Sequence, residues 1–126
     1  PGYSNTQIGA LLQATADDLN ALNPTYIDQL GTGRVNLFNG VNAINPQFLE
    51  LTSVSVTDNN NDVFVFGDTL RIEGMFTNYL DALSGVAVTI SSQSPYVNIL
   101  DSTTSLPAMA ANSTYNNTAD KFVVEV

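Results

Sequence analysis

The densest set of oxygen donors in the chain is Asp58-Asn59-Asn60-Asn61-Asp62, with Asp68 shortly after it. Asp58, Asn60 and Asp62 stand at positions one, three and five of a loop, the spacing with which side-chain oxygens wrap a calcium ion. The carbonyl of Phe64 falls at position seven, and Asp68 supplies a late carboxylate. Two departures count against a loop of the EF-hand type: Val63 stands where that loop has glycine, and Thr69 where it has a bidentate glutamate. The competing reading is a polar hairpin loop whose Asx side chains bond their own backbone. Calcium is the only cofactor these residues suggest.

Other chemistry is mostly ruled out by residues the chain lacks. With no His and no Cys, it has no imidazole to take a serine proton, no thiol nucleophile and no zinc thiolate. No phosphate-cradling glycine loop is present. Asp17-Asp18 are adjacent carboxylates in a polar stretch and read as solvated rather than as an acid/base pair. No catalytic residue is therefore assigned. Asn112-Ser113-Thr114 and Asn116-Asn117-Thr118 have the form of glycosylation sequons but read as a polar loop. Tyr3, Tyr26, Tyr79, Tyr96 and Tyr115 are scattered and read as packing residues rather than as a sugar platform.

Twelve carboxylates against Arg34, Arg71 and Lys121 leave a net charge of -9, which excludes nucleic acid as a partner. Charged residues make up 12% of the chain, about half the usual share, so Asn, Ser, Thr and Gln must cover its surface. That pattern suits secreted or cell-surface β proteins. No stretch approaches the apolar length of a membrane span. At 126 residues the chain can hold one small domain and part of another.

The elements that position these residues follow from spacing. Ser4-Asn5-Thr6-Gln7 has the form of a capping box, and Ile8, Leu11, Leu12 and Thr15 make one helical stripe to about Ala16. Gly31-Thr32-Gly33 reads as a tight turn opening into a helix from Val35 to Ala43, with Val35, Phe38 and Val41 facing one way. Helices this short are marginal alone, so both stripes need a partner surface. Near Asn45 the pattern changes to alternation. Strands are expected at Phe48 to Thr57, with a bulge near Thr52 or Ser53, and at Thr69 to Asn78. Others are expected at Gly85 to Ser92, with Val86, Val88 and Ile90 inward, and at Tyr96 to Leu100 and Lys121 to Val126. Five or six short strands suggest a mainly β fold, a β-sandwich of immunoglobulin-like architecture left incomplete at its C-terminal side.

Residues 3–45 resemble the C-terminal end of the catalytic domain of subtilisin-like serine peptidases, the subtilases. The resemblance is carried by Thr6-Gln7-Ile8-Gly9-Ala10-Leu11-Leu12-Gln13-Ala14-Thr15-Ala16, by Asp17-Asp18-Leu19, and by Gln29-Leu30-Gly31-Thr32-Gly33-Arg34-Val35-Asn36, in that order. From Phe48 onward the chain is similar to the β-sandwich domains that follow the protease in secreted subtilases of the Bacteroidetes type. The cues there are Val54-Ser55-Val56-Thr57-Asp58, Phe66-Gly67-Asp68-Thr69-Leu70, Thr77-Asn78-Tyr79 and Val86-Ala87-Val88-Thr89-Ile90. The resemblance implies two parts. Residues 1–45 would be the last helices of an α/β protease domain, and residues 46–126 an accessory β-sandwich. It also implies that the nucleophile lies just ahead of this chain, so that the chain is inactive alone. Its partner would then be the rest of the subtilase domain, in the same polypeptide or as a nicked partner chain. The alternative expectation is a cell-surface or secreted adhesion or assembly module that binds a partner protein, with calcium as a candidate ion.

Overall fold

Ser4 caps the first helix as a capping box requires: its Oγ accepts from the Gln7 N–H at 3.3 Å, and the Gln7 carboxamide accepts from the Ser4 N–H at 3.0 Å. The computed structural model describes residues 2–27, 29–58 and 63–126. Helix α1 runs Asn5–Ala14 with Thr15 as its C-cap, ending before Ala16, whose N–H reaches the Gln13 carbonyl three residues back rather than one four residues back. Two single 3₁₀ turns follow, Asn20–Leu22 and Pro24–Tyr26, the second opened by Pro24 in the position a helix start tolerates. Helix α2 is Leu37–Asn42, shorter than the span from Val35 to Ala43 because Asn36 is its cap, accepting from the Asn39 N–H at 3.0 Å.

The remainder is mainly β and antiparallel. Strand β1, Leu49–Thr57, pairs along its length with β2, Thr69–Asn78, and the register slips between Leu51 and Ser53, where the break in alternation places a bulge. The other edge of β2 is shared by two short strands laid end to end. β7, Phe122–Glu125, pairs with Thr69 to Ile72, and β6, Ser113–Asn116, pairs with Met75 to Asn78. β4, Asn98–Asp101, extends the sheet beyond β7, giving the path β1-β2-β7-β4. A second sheet joins β3, Ala87–Thr89, to β5, Thr103–Ser105.

Both sheets feed one core. Phe76 of β2 and Phe122 of β7 cluster with Leu83, Leu106 and Met109, and Val86, Val88 and Ile90 pack against them from the β3 side. Burying a side chain such as Phe76 is worth about 1.5–3 kcal/mol, and β2, paired on both edges, carries more buried positions than any other strand. Glu73 and Met75 are half-buried and Thr77 is buried, although all three lie on the face that alternation alone would give to solvent.

Two buried asparagines close the β part. Asn117 sits in the gap between β6 and β7, where its Oδ1 accepts from the Gly74 N–H at 2.7 Å and its own N–H reaches the Gly74 carbonyl. A side chain at Gly74 would meet Leu51 Cδ1 at 2.8 Å and the Phe76 ring at 3.0 Å, so a larger residue there would have to displace the Leu51 side chain. Asn78, wholly buried, directs its Nδ2 at the carbonyls of Asp81, Met109 and Ala110 and accepts from the Leu80 N–H.

Several expectations need correction. Seven strands are present among the described residues. β5 and β6 do not follow from spacing, because Thr, Ser and Asn carry them with too little apolar alternation. The segment expected as a polar loop with sequons is β6 followed by a buried Asn117. The third and fourth strands are shorter or shifted, at Ala87–Thr89 and Asn98–Asp101, because turns and side-chain bonds take up Ser92 to Val97.

Asn78→Asp, which keeps the shape but points carboxylate oxygens at three carbonyls, is expected to cost on the order of 3 kcal/mol. Urea denaturation checks it, with a lower midpoint and an unchanged slope.

Candidate functional site

Three surfaces contain the residues singled out by sequence. The first is the turn after the 3₁₀ segments. Arg34 and Asp17 exchange backbone hydrogen bonds at 2.8 and 3.0 Å, so the turn pairs with the loop after α1 as an isolated bridge. Gly33 has φ +108, and a Cβ there would collide with the Asp17 carbonyl oxygen, so the approach depends on glycine. Side chains reinforce the bridge. Arg34 donates to Asp17 Oδ2 at 2.8 Å, and Asn36 donates to Asp17 Oδ1 at 2.7 Å. Asp17 is therefore a structural anchor rather than a merely solvated carboxylate, while Asp18 accepts from the Asn20 N–H. With twelve carboxylates available to three cations, composition does not single out Asp17 as the partner of Arg34.

The hydrogen bond from Asn36, then that from Arg34, hold the Asp17 carboxyl below its ordinary value of 3.8. Glu73 is likewise lowered, from 4.5, by Lys121 at 2.7 Å and then by Thr118. A carboxyl lowered in the folded state contributes stability that is fully present above its unfolded value and is lost as pH falls through the folded one. Thermal stability should therefore decline below about pH 4. Asp17→Asn should melt lower than wild type at neutral pH and show a shallower decline over the acid range, so that the two curves converge as pH falls, when melting is followed against pH.

The second surface is apolar. α2 meets α1 through buried Gly40, which lies against Leu12 and Thr15. Leu11 and Leu12 are half-buried, but Ile8, Val35, Leu37, Phe38, Val41 and Ile44 are exposed, Phe38 at 75% and Val41 at 82%. A groove of about 460 Å³ runs between the helices, with Tyr3, Ile8, Leu37 and Val41 on its walls. The helical part is tied to the β part by a polar contact, the Gln7 side chain donating to the Tyr79 carbonyl at 3.1 Å. Among the described residues, its apolar face has no strand packed on it.

The third surface is the mouth of the β1–β2 hairpin. Asp58 follows β1 and is buried; Asp68 precedes β2; Phe64 lies exposed between them. Asn60 and Asp62 lie outside the described residues. Asp68 is already engaged in the local structure, since its Oδ2 accepts from the Val65 N–H at 2.8 Å and closes a turn whose ends pair with Val126. Among the described residues no three His, Cys, Asp or Glu side chains lie close enough together to hold a metal ion. The carboxylates that the described residues place at this mouth are Asp58 and Asp68, and a calcium shell would need Asn60 and Asp62 to join them.

Compared with family models, with curated proteins and with solved structures, the chain matches none. The geometry above is accordingly the ground for a functional reading.

The Asp68 turn yields a direct test. Asp68→Ala should lower stability by about 1 kcal/mol to the same extent in excess calcium and in chelator. A loss confined to the calcium-containing sample would give Asp68 to the ion.

Proposed function

We propose that this chain is a non-catalytic segment of a secreted subtilisin-like serine endopeptidase, in which residues 1–45 complete the protease core and residues 46–126 form an accessory β-sandwich of immunoglobulin-like type. The observation that carries the reading is the unpartnered apolar face of α1 and α2. A pair of short helices held together mainly by a buried glycine and an Asp17 anchor would not leave Phe38 and Val41 in water as a finished fold. The residues that carry the resemblance to subtilases include Asp17 and Arg34 of the bridge, Gln7 of the first helix's capping box and Asn36, the cap of the second. On this reading the covered face is the interior of the α/β protease domain, and the Gln7 bond to the Tyr79 carbonyl helps hold the sandwich at a set angle to it. Two antiparallel sheets sharing one core support the sandwich assignment.

The chemistry belongs to the rest of the protease. Peptide hydrolysis through an acyl-enzyme needs a serine activated by His, and this chain has no His. Ser4, the first serine, is occupied as a helix cap. The second reading, an assembly module that docks the same helical face on another protein and binds calcium at the hairpin mouth, differs in what lies beneath that face.

Two measurements separate them. The isolated chain should neither turn over peptide substrates nor be labelled by a serine-directed fluorophosphonate. The double substitution Phe38→Glu with Val41→Glu should leave the isolated chain's melting within about 0.5 kcal/mol of wild type yet abolish active protease when made in the complete polypeptide. Unimpaired protease would overturn the proposal and leave the docking module.

A further inference from the structure

Away from the helices, at the end of the main sheet where β4 begins and β7 ends, lies an open groove of about 700 Å³. Its walls carry two of the most exposed rings in the molecule, Phe66 at 89% and Tyr96 at 75%, with Pro95, Asn98 and Glu125 beside them. Neither ring contributes to the core cluster.

Both rings are presented by turns that are pinned in place. Phe66 sits in the turn from Val65 to Asp68, closed by the Asp68 N–H to the Val65 carbonyl at 3.1 Å and by the Asp68 carboxylate on the Val65 N–H. That turn is further held by Val126, whose N–H donates to the Asp68 carbonyl and whose carbonyl accepts from Gly67. Tyr96 follows Pro95 in a turn where Ser94 Oγ accepts from the Tyr96 N–H at 3.3 Å, and Ser92 Oγ in turn accepts from the Ser94 N–H at 3.1 Å. Proline and these side-chain bonds remove the freedom that an exposed aromatic on an ordinary loop would lose on binding. The polar pair is fixed as well: Asn98 of β4 and Glu125 of β7 are register partners, and Asn98 Nδ2 donates to Glu125 Oε2 at 3.3 Å.

We propose that this groove binds a neutral saccharide chain. A pyranose offers an apolar face of C–H groups and an equatorial rim of hydroxyls. The rings of Phe66 and Tyr96 match the face, and an amide beside a carboxylate supplies donors and acceptors for neighbouring hydroxyls on the rim. The charge selects further. Glu125 lines the groove and the chain carries a net charge of -9, so uronic-acid and sulfated sugars are repelled. The openness of the groove at the sheet end suits the middle of a chain rather than a single terminal sugar.

Affinity gel electrophoresis of the intact chain through gels containing β-glucan, xylan, mannan or a soluble chitin derivative tests the inference. Retardation is expected in at least one neutral polymer and in none of its carboxylated or sulfated counterparts. Tyr96→Ala and Phe66→Ala should each weaken it about tenfold without altering the melting temperature, while Tyr96→Phe retains it. Three results would overturn the proposal: no retardation in any of the four polymers, retardation that survives the double alanine variant, or binding of proline- and aromatic-rich peptides by this groove in place of the polymers. Because the substituted residues lie on the β part and far in sequence from α1 and α2, either result is independent of the protease reading.

Discussion

The β part depends on how β2 solves a pairing problem along its second edge. β7 reaches only from Thr69 to Ile72 and β6 only from Met75 to Asn78, which leaves the Gly74 backbone facing a gap between two strands. Unmet, that buried N–H would cost roughly 1–3 kcal/mol. Asn117, the first residue after β6, fills the gap with its side-chain amide and turns the chain toward β7 by accepting from the Asp120 N–H. The same residue therefore satisfies the sheet and sets the register of the two strands that flank it. Asn78 plays a comparable part at the far end of β2, gathering the carbonyls of two separate turns around one carboxamide.

These two asparagines show why polar composition is compatible with a defined core here. A chain with few charges and little apolar surplus gains fold specificity from buried amides whose donors and acceptors are matched by backbone. The apolar cluster around Phe76 and Phe122 then needs to be only modest in size. The helical part works on a different basis. Its apolar contacts are few, its fixed points are the caps at Ser4 and Asn36 and the Asp17 bridge, and its largest apolar side chains point outward.

Much of this is legible in the sequence wherever one residue type has one dominant local role. The capping box at Ser4 and Gln7, the glycine turn at Gly31 to Gly33, the span of β2 and the bulge after Leu51 all follow from spacing alone. The strands β5 and β6 do not, because Thr103 to Ser105 and Ser113 to Asn116 are stretches that turn and strand favour almost equally, and tertiary pairing decides between them. The role of Asp17 is hidden for another reason: its partners lie seventeen and nineteen residues away, beyond any local pattern. For the oxygen-donor loop, spacing is visible in the sequence, but the prior commitment of Asp68 to the Val65 N–H is not.

On the proposed reading the chain combines a self-sufficient β body with a helical arm that another surface completes. Amide hydrogen exchange of the isolated chain, and of the same segment within the complete polypeptide, tests that division most directly. Amides of β2 and β7 should be strongly protected in both samples. Those of α1 and α2 should exchange rapidly in the isolated chain and slow by orders of magnitude in the complete polypeptide. Equal protection of α1 and α2 in the two samples would contradict it.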